Sequence, residues 1–139
     1  DPDPAHGHNA LCALTLETIA ADRKDSPGAD GLLNQLVQVL DEGPAQRPNW
    51  VSLEAAWMLE DRGDVGAAAR VAGYVSGTDP YSFAASTVHR EAARLSLAAG
   101  DSAKASHRFQ WYITARPDPD PEFLALDREM RATMGVPRR

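Results

Sequence analysis

Residues 89–117 of the chain read HREAARLSLAAGDSAKASHRFQWYITARP. Small and apolar residues recur at helical spacing up to Gly100, and a second stretch with the same spacing begins directly after it. In that second stretch Ala105, Phe109 and Tyr112 lie at positions i, i+4 and i+7, which form one face of a helix, and a proline follows. The segment therefore predicts two helices joined by a tight turn.

The same signals occur 37 residues earlier in the chain (100 − 63 = 37). The matching pairs are Gly63 with Gly100, Asp64 with Asp101, Ala68 with Ala105, and Pro80 with Pro117. Two helical hairpins in one register are typical of an array of helical repeats.

These residues resemble the tetratricopeptide repeat (TPR) family, whose repeats have small residues on the first helix, Gly-Asp at the turn, and Ala, an aromatic residue and Pro on the second helix. The clear match covers residues 50–117, and its small first-helix residues are Ala55, Ala56, Ala92 and Ala93. The chain departs from the family where Trp and Tyr are usual on the first helix, since these positions hold Ser52, Leu59, His89 and Ser96. The resemblance implies an all-α fold, namely a right-handed α-solenoid of about three helical hairpins plus a C-terminal capping helix.

Caps and helix breakers divide the chain into seven predicted helices. The predicted N-caps or helix starts are Asn9, Ser26, Asn49, Asp64, Asp101 and Asp120. The first helix offers Leu11, Leu14, Ile19 and Ala20 for burial, and the fourth is expected to end at Gly77. We expect residues 1–8 to be a flexible lead-in, residues 9–134 to form one TPR-like domain, and residues 135–139 to be a tail.

The last predicted helix carries a single apolar stripe, made of Phe123, Leu126, Met130 and Met134 at i, i+3, i+7 and i+11. A helix with one apolar stripe suits the end of a solenoid, where it covers the last exposed hairpin. The stripe is the basis for predicting a capping helix.

Bulk composition restricts the kinds of partner. The chain has 139 residues and a formal net charge of −6, so it has no basic field for phosphates, and we expect no nucleic-acid partner. No apolar run reaches the ~20 residues that span a bilayer, so we expect no direct membrane insertion. The sequence starts DPDP without Met, which fits a processed mature protein or a piece of a longer one. Both an extracytoplasmic and a cytoplasmic location stay open.

Motifs for catalysis, nucleotide binding or metal binding are not found in the sequence. His6, His8 and Cys12 suggest a metal, and Asp118, Asp120 and Glu122 suggest calcium, yet solvated side chains are the better interpretation in both cases. Cys12 itself is expected to be a small buried apolar side chain. We therefore expect no enzyme activity, no cofactor, no metal and no small-molecule ligand.

Three functions fit such a repeat array. The first is a non-catalytic protein-binding scaffold or adaptor that takes a peptide or partner helix in a concave groove, and a related one is an accessory subunit of a larger complex. The alternative is a regulatory or oligomerisation domain of a larger bacterial transcriptional regulator or kinase, because residues 102–130 look like helical domains attached to such proteins.

The resemblance also implies where a partner binds, because the first helix of each TPR repeat lines the concave face. The residues so placed are Trp50, Leu53, Trp57, Glu60 and Asp61 from one repeat, and Thr87, Arg90, Arg94 and Leu97 from the next. Trp and Arg are the residues that most often anchor interfaces. A competing interpretation is that the stripe of Trp50, Leu53 and Trp57 packs inside the domain. A partner with apolar anchors and acidic flanks would suit the binding interpretation.

Overall fold

A computed structural model describes residues 7–43, 48–75, 85–115, 118 and 120–135 of the chain. These residues form α1 (His8–Arg23), α2 (Ala29–Asp41), α3 (Asn49–Asp61), α4 (Val65–Ala72), α5 (Ala85–Ala98), α6 (Ser102–Ala115) and α7 (Leu124–Met134), with a 3₁₀ turn at Pro121–Phe123. No strand occurs within these described ranges, so the prediction of an all-α protein is confirmed. The chain divides into two compact units, unit 1 (Asp1–Ser76) and unit 2 (Gly77–Arg139).

Unit 1 is built around α3. Helix α1 packs against α2 and α3, and α2 also packs against α3 and α4. Most of the circumference of α3 is buried, through Val51, Ser52, Leu53, Ala55, Ala56, Met58 and Leu59.

Helix α1 buries a different face from the one expected. Its buried residues are Leu11, Thr15 and Thr18, spaced at i, i+4 and i+7, whereas the predicted Leu14 and Ile19 are half-buried and Ala20 is exposed. The two threonines tolerate burial because each hydroxyl donates a hydrogen bond to the carbonyl four residues earlier, both at 2.7 Å. A pattern of apolar residues alone does not reveal this face.

The turns of the two predicted hairpins have the same backbone geometry. Gly63 and Gly100 have φ of 82° and 83°, in the left-handed region that favours glycine. After each glycine, the Asp N–H donates to the carbonyl five residues earlier, from Asp64 to Leu59 at 3.0 Å and from Asp101 to Ser96 at 2.9 Å. Each glycine N–H donates to the carbonyl three residues earlier, which completes a Schellman motif. The 37-residue register thus holds for the local geometry of both turns.

The turn between α1 and α2 has the same motif without a glycine. Asp25 has φ of 50°, and its N–H donates to the Asp22 carbonyl at 3.0 Å. The next N–H, that of Ser26, donates to the Ala21 carbonyl, also at 3.0 Å. Aspartate tolerates the left-handed region better than most residues. The first hairpin therefore repeats the turn of the other two, which the sequence does not reveal.

Two of the predicted N-caps are confirmed. Asp64 Oδ1 accepts a hydrogen bond from the Ala67 N–H at 3.1 Å, and Asp101 Oδ1 accepts one from the Lys104 N–H at 3.0 Å. The predicted caps Asn9 and Asn49 are wrong, because the N-cap residues are Gly7 and Pro48. The backbone of both is extended at ψ of 148° and 136°, so each helix begins directly afterwards.

Helix α4 is shorter than predicted, since it ends at Ala72 with Gly73 as its C-cap. Beyond it the N–H groups of Tyr74 and Val75 donate to carbonyls three residues earlier, at 3.1 and 3.3 Å, which is a tighter turn than the α-helix. A glycine disfavours helix by about 1 kcal/mol relative to alanine, so Gly73 is a weak point where the helix can end. The predicted end at Gly77 lies outside the described residues.

Unit 2 consists of the hairpin of α5 and α6, with α7 packed against α6. Ala93, Phe109, Tyr112 and Met130 form its hydrophobic cluster, with Leu97, Ile113 and Leu126 packed around it. Met130 is fully buried and Leu126 packs against the cluster, so these two members of the predicted stripe face the hairpin. Asp120 precedes the 3₁₀ turn but its side chain accepts no capping hydrogen bond, and the α-helix begins only at Leu124.

Candidate partner-binding surfaces

The five predicted binding residues of α3 do not all reach the surface of unit 1. Trp50 is 40% exposed and Asp61 is exposed, whereas Trp57 and Glu60 are half-buried. Leu53 is only 5% exposed and belongs to the hydrophobic core. The competing interpretation, that the stripe packs internally, therefore describes Leu53 but not Trp50.

The accessible side of α3 is a strip that we call the α3 strip: Trp50, Glu54, Trp57 and Asp61, at i, i+4, i+7 and i+11. Each member is exposed or half-buried, while Val51, Leu53 and Met58 beside the strip are buried and Glu60 is half-buried. Glu54 was not among the predicted residues, although its spacing from Trp50 and Trp57 is a signal that could have found it. The strip presents two indole rings and two carboxylates along one side of a helix.

The four predicted residues of α5 are largely occupied by contacts within unit 2. Arg90 is 9% exposed, and its guanidinium carbon lies 3.5 Å from the centroid of the Phe123 ring. Arg94 is half-buried and donates to both carboxylate oxygens of Glu91, at 2.9 and 3.3 Å. Leu97 packs against the hydrophobic cluster, and Thr87 is half-buried.

A stacked ring pair in unit 2 was not predicted as part of a site. His89 on α5 is 3% exposed and lies against Trp111 on α6, which is 47% exposed. Burial lowers the pKa of His89 below its ordinary value, and the nearby positive charges of Arg108 and His107 lower it further. His107, Gln110, Trp111 and Thr114 line a shallow depression on the surface.

The spacing of His89 and Trp111 from the turn between α5 and α6 predicts that the two residues lie together. His89 and Trp111 are each 11 residues from Gly100 (100 − 89 = 11 and 111 − 100 = 11), so a symmetric antiparallel hairpin places them side by side. In the α3/α4 hairpin the matching residues are Ser52 and Tyr74. Ser52 is fully buried like His89, but Tyr74 lies beyond the shorter α4 and its hydroxyl donates to Asp41 of α2.

Two charged clusters connect the helices of unit 1. Arg62 forms ion pairs with Asp22 at 2.8 Å and Asp30 at 2.7 Å, and it also donates to the carbonyl of Met58 at 3.0 Å. The hydrogen bond to Asp30 is the main reason why the pKa of Arg62 is raised. These contacts hold the ends of three helices together, so we assign them to the fold and not to binding.

The second cluster is built on a bidentate ion pair between Arg70 and Asp41. Arg70 donates to both oxygens of Asp41 at 3.2 Å, which raises the pKa of Arg70. The pKa of Tyr74 is raised first by burial and then by its hydrogen bond to the same carboxylate. This cluster ties α4 and the turn after it to α2.

The residues considered for metal binding that the structure describes are all exposed or half-buried. Cys12 is half-buried, contrary to the expectation of a buried side chain, and its Sγ lies 3.7 Å from His8 Nε2 one helical turn away. His6 lies outside the described residues. Within the described part of the chain, no three side chains of His, Cys, Asp or Glu come together as a metal site would require.

None of the helices in the described ranges is both long enough and apolar enough to cross a membrane. Comparison with known proteins found no matching family model, no matching curated protein and no matching solved structure. The functional interpretation therefore depends on the geometry of the two units.

Proposed function

We propose that this chain is a non-catalytic protein-binding scaffold or adaptor of the TPR-like type, in which first-helix residues contact a protein partner. The observation that supports the proposal most is the α3 strip. Two indole rings and two carboxylates lie along one accessible side of a helix whose other sides are buried. Indole rings combine large apolar area with few rotatable bonds, and they are enriched among the residues that dominate binding energy.

The repeat register supports the TPR-like part of the proposal. The two hairpins share their turn geometry and their capping hydrogen bonds, and Ala68 and Ala105, which match in register, are both fully buried. In this proposal the hairpins stack as a right-handed α-solenoid and α7 caps its end. The α3 strip of unit 1 and the accessible part of α5 of unit 2 are then each a candidate binding surface.

The chemistry of the strip suggests what it contacts. Glu54 and Asp61 flank the two indoles, so a partner segment with apolar and basic residues suits the strip. Arg90 and Arg94 of α5 would attract the acidic flanks that the sequence analysis expects of the partner.

The test begins with affinity recovery of the tagged full chain from its native cell extract, followed by mass spectrometry of the co-purifying protein. The purified partner is then titrated against wild type, Trp50→Ala and Leu16→Ala. Leu16 is a matched control because it is a large apolar side chain that is 60% exposed on α1. We expect Trp50→Ala to weaken binding by about 2 kcal/mol, roughly 30-fold, and Leu16→Ala to have little effect.

A second arm replaces Arg90 and Arg94 together with alanine and compares binding at low and high salt. Binding should weaken more at low salt, where attraction between charges is least screened. Equal loss in Trp50→Ala and Leu16→Ala would refute the α3 strip as the binding surface. If the only protein recovered were a second copy of the chain, the oligomerisation alternative would be favoured.

A further inference from the structure

The guanidinium of Arg90 contacts an aromatic ring of the chain itself. The guanidinium carbon of Arg90 lies 3.5 Å from the centroid of Phe123, and Arg90 is only 9% exposed. Its Nε has no hydrogen-bond partner within the described part of the chain. A guanidinium over a ring face at this distance is a cation–π contact, which is stronger when water is excluded. Phe123 therefore occupies a place on α5 where the TPR-like resemblance leads us to expect a binding partner.

The segment that supplies Phe123 is weakly attached to the rest of unit 2. The 3₁₀ turn Pro121–Phe123 has no buried residue. Glu122 is exposed and Phe123 is half-buried. Farther on, α7 is fixed by Met130 in the hydrophobic cluster and by Arg131, whose guanidinium carbon lies 5.9 Å from the centroid of the Phe109 ring on α6. The ring of Phe123 can thus leave Arg90 without removing α7 from the hairpin.

We propose that an aromatic side chain of the partner binds over the guanidinium of Arg90. In the chain without its partner, the ring of Phe123 occupies this position. The binding segment of the partner would resemble residues 118–123 of this chain, in which acidic residues precede an aromatic residue. This inference rests on the proposed function, because it concerns the same α5 surface. The C-terminal segment then regulates binding, since the partner must displace Phe123 before it can bind.

Charge supports this choice of partner. The α5 surface carries Arg90 and Arg94, of which Arg94 is already paired with Glu91, and the chain's own segment carries Asp118, Asp120 and Glu122 before its aromatic residue. A carboxylate in such a segment is therefore attracted chiefly to Arg90, and an aromatic ring covers the desolvated face of Arg90. An uncharged aromatic segment would lose the first of these two contributions.

Covalent attachment makes the internal contact hard to displace. A segment joined to its site by a short linker has an effective concentration of about 1 mM, so a free peptide competes poorly. Removal of the Phe123 ring abolishes the competition while Arg90 stays in place. We therefore expect a free peptide with this chemistry to bind a Phe123→Ala variant at least ~10-fold more tightly than wild type.

The probe is a fluorescently labelled peptide with the sequence of residues 117–124, PDPDPEFL, and its anisotropy is titrated with the full-length chain. The proteins are wild type, Phe123→Ala, and Phe123→Ala combined with Arg90→Met, which keeps an unbranched side chain but removes the guanidinium. A second peptide with alanine in place of the phenylalanine is the matched control. Circular dichroism checks that each variant keeps its helices.

The proposal predicts tight binding only for the phenylalanine peptide and only with Phe123→Ala. Equal affinity for wild type and Phe123→Ala, equal affinity of both peptides, or unchanged binding after Arg90→Met would overturn it. If Phe123→Ala loses helix, Phe123→Leu takes its place, because leucine keeps apolar volume but has no ring for the guanidinium. The peptide titration does not use the natural partner. A negative result in the peptide titration therefore leaves the Trp50→Ala test of the proposed function unaffected. A negative result in the Trp50→Ala test likewise leaves the peptide titration unaffected.

Discussion

The imidazole of His89 and the indole of Trp111 stack with their ring centroids 5.3 Å apart and their planes only 12° from parallel. His89 is buried beneath Trp111, and its Nδ1 has no hydrogen-bond partner within the described residues. Burial lowers the pKa of His89, and repulsion from Arg108 and His107 on α6 lowers it further. These effects favour the neutral form of His89 in the folded chain.

The stability of unit 2 should depend on pH through His89. The pKa of His89 is lowered from 6.5 in the folded chain, so below pH 6.5 the unfolded chain binds a proton that the folded chain does not. Stability should then fall as pH falls from 6.5 towards the folded pKa. Thermal melts of wild type and His89→Phe between pH 8 and pH 5 measure this effect. His89→Phe should lie within ~1 kcal/mol of wild type at pH 8, because the imidazole leaves a buried nitrogen unpaired.

Other titrating groups are common to both proteins, so the difference between the two melting temperatures isolates His89. The difference should grow in favour of His89→Phe as the pH is lowered. A constant difference across this range would show that His89 does not titrate differently in the folded chain.

The Schellman turns predict opposite effects for two substitutions. Gly63→Ala should cost ~1–2 kcal/mol, because alanine at positive φ is strained even though no atom lies within 4 Å of an added Cβ. Asp25→Gly should be neutral or stabilising by up to ~1 kcal/mol, because it relieves a non-glycine residue in the left-handed region at some cost in chain entropy. Chemical denaturation of the two variants compares them. Destabilisation by Asp25→Gly that equals that of Gly63→Ala would contradict this account.

Phe109 should be one of the most sensitive residues of unit 2. It is fully buried in the hydrophobic cluster, and its ring centroid lies 5.7 Å from that of Tyr112. Phe109→Ala should cost ~3–5 kcal/mol, and Ala105→Leu should cost ~1–3 kcal/mol by overpacking a fully buried position. Leu16→Ala, at an exposed position, should change stability by less than ~0.5 kcal/mol. Melting temperatures that do not separate the three variants would show that the assigned core is wrong.

The ion pair of Asp127 and Arg131 should show strong coupling. The two side chains are 11% and 8% exposed, and the Arg131 Nε lies 2.8 Å from Asp127 Oδ2. Arg131→Met alone should cost ~3–5 kcal/mol, because it leaves a buried carboxylate without its partner. Asp127→Leu combined with Arg131→Met should recover most of that loss. A double-mutant cycle by denaturation gives the coupling, and purely additive costs would mean that the pair is not buried as described.

The two Gly-Asp turns were the most predictable features. Gly63-Asp64 and Gly100-Asp101 predicted both the left-handed turn residue and the capping aspartate, and all four residues have these roles. These features depend on hydrogen bonds between residues within about five positions of one another. Where a stronger local factor acts, as Pro48 does before Asn49, the prediction was shifted by one residue.

The burial of individual side chains was not predictable in the same way. Leu53 and Trp50 are three positions apart on α3, yet one lies in the core and the other on the surface. Thr15 and Thr18 are buried because their hydroxyls are satisfied within α1, so polarity alone is a poor guide to the face that is buried.

By itself the sequence determined the helical class, the turn register and the two capping aspartates that follow the glycines, because each depends on the backbone preferences of neighbouring residues. Only the tertiary structure decided which sides of α3 and α5 are accessible. The Phe123 ring on Arg90, the Trp111 ring on His89 and the Arg62 bridge to Asp30 all join residues that are distant in the chain. Such contacts depend on how the helices pack, and a periodic pattern along one helix carries no information about the residue that will lie against it.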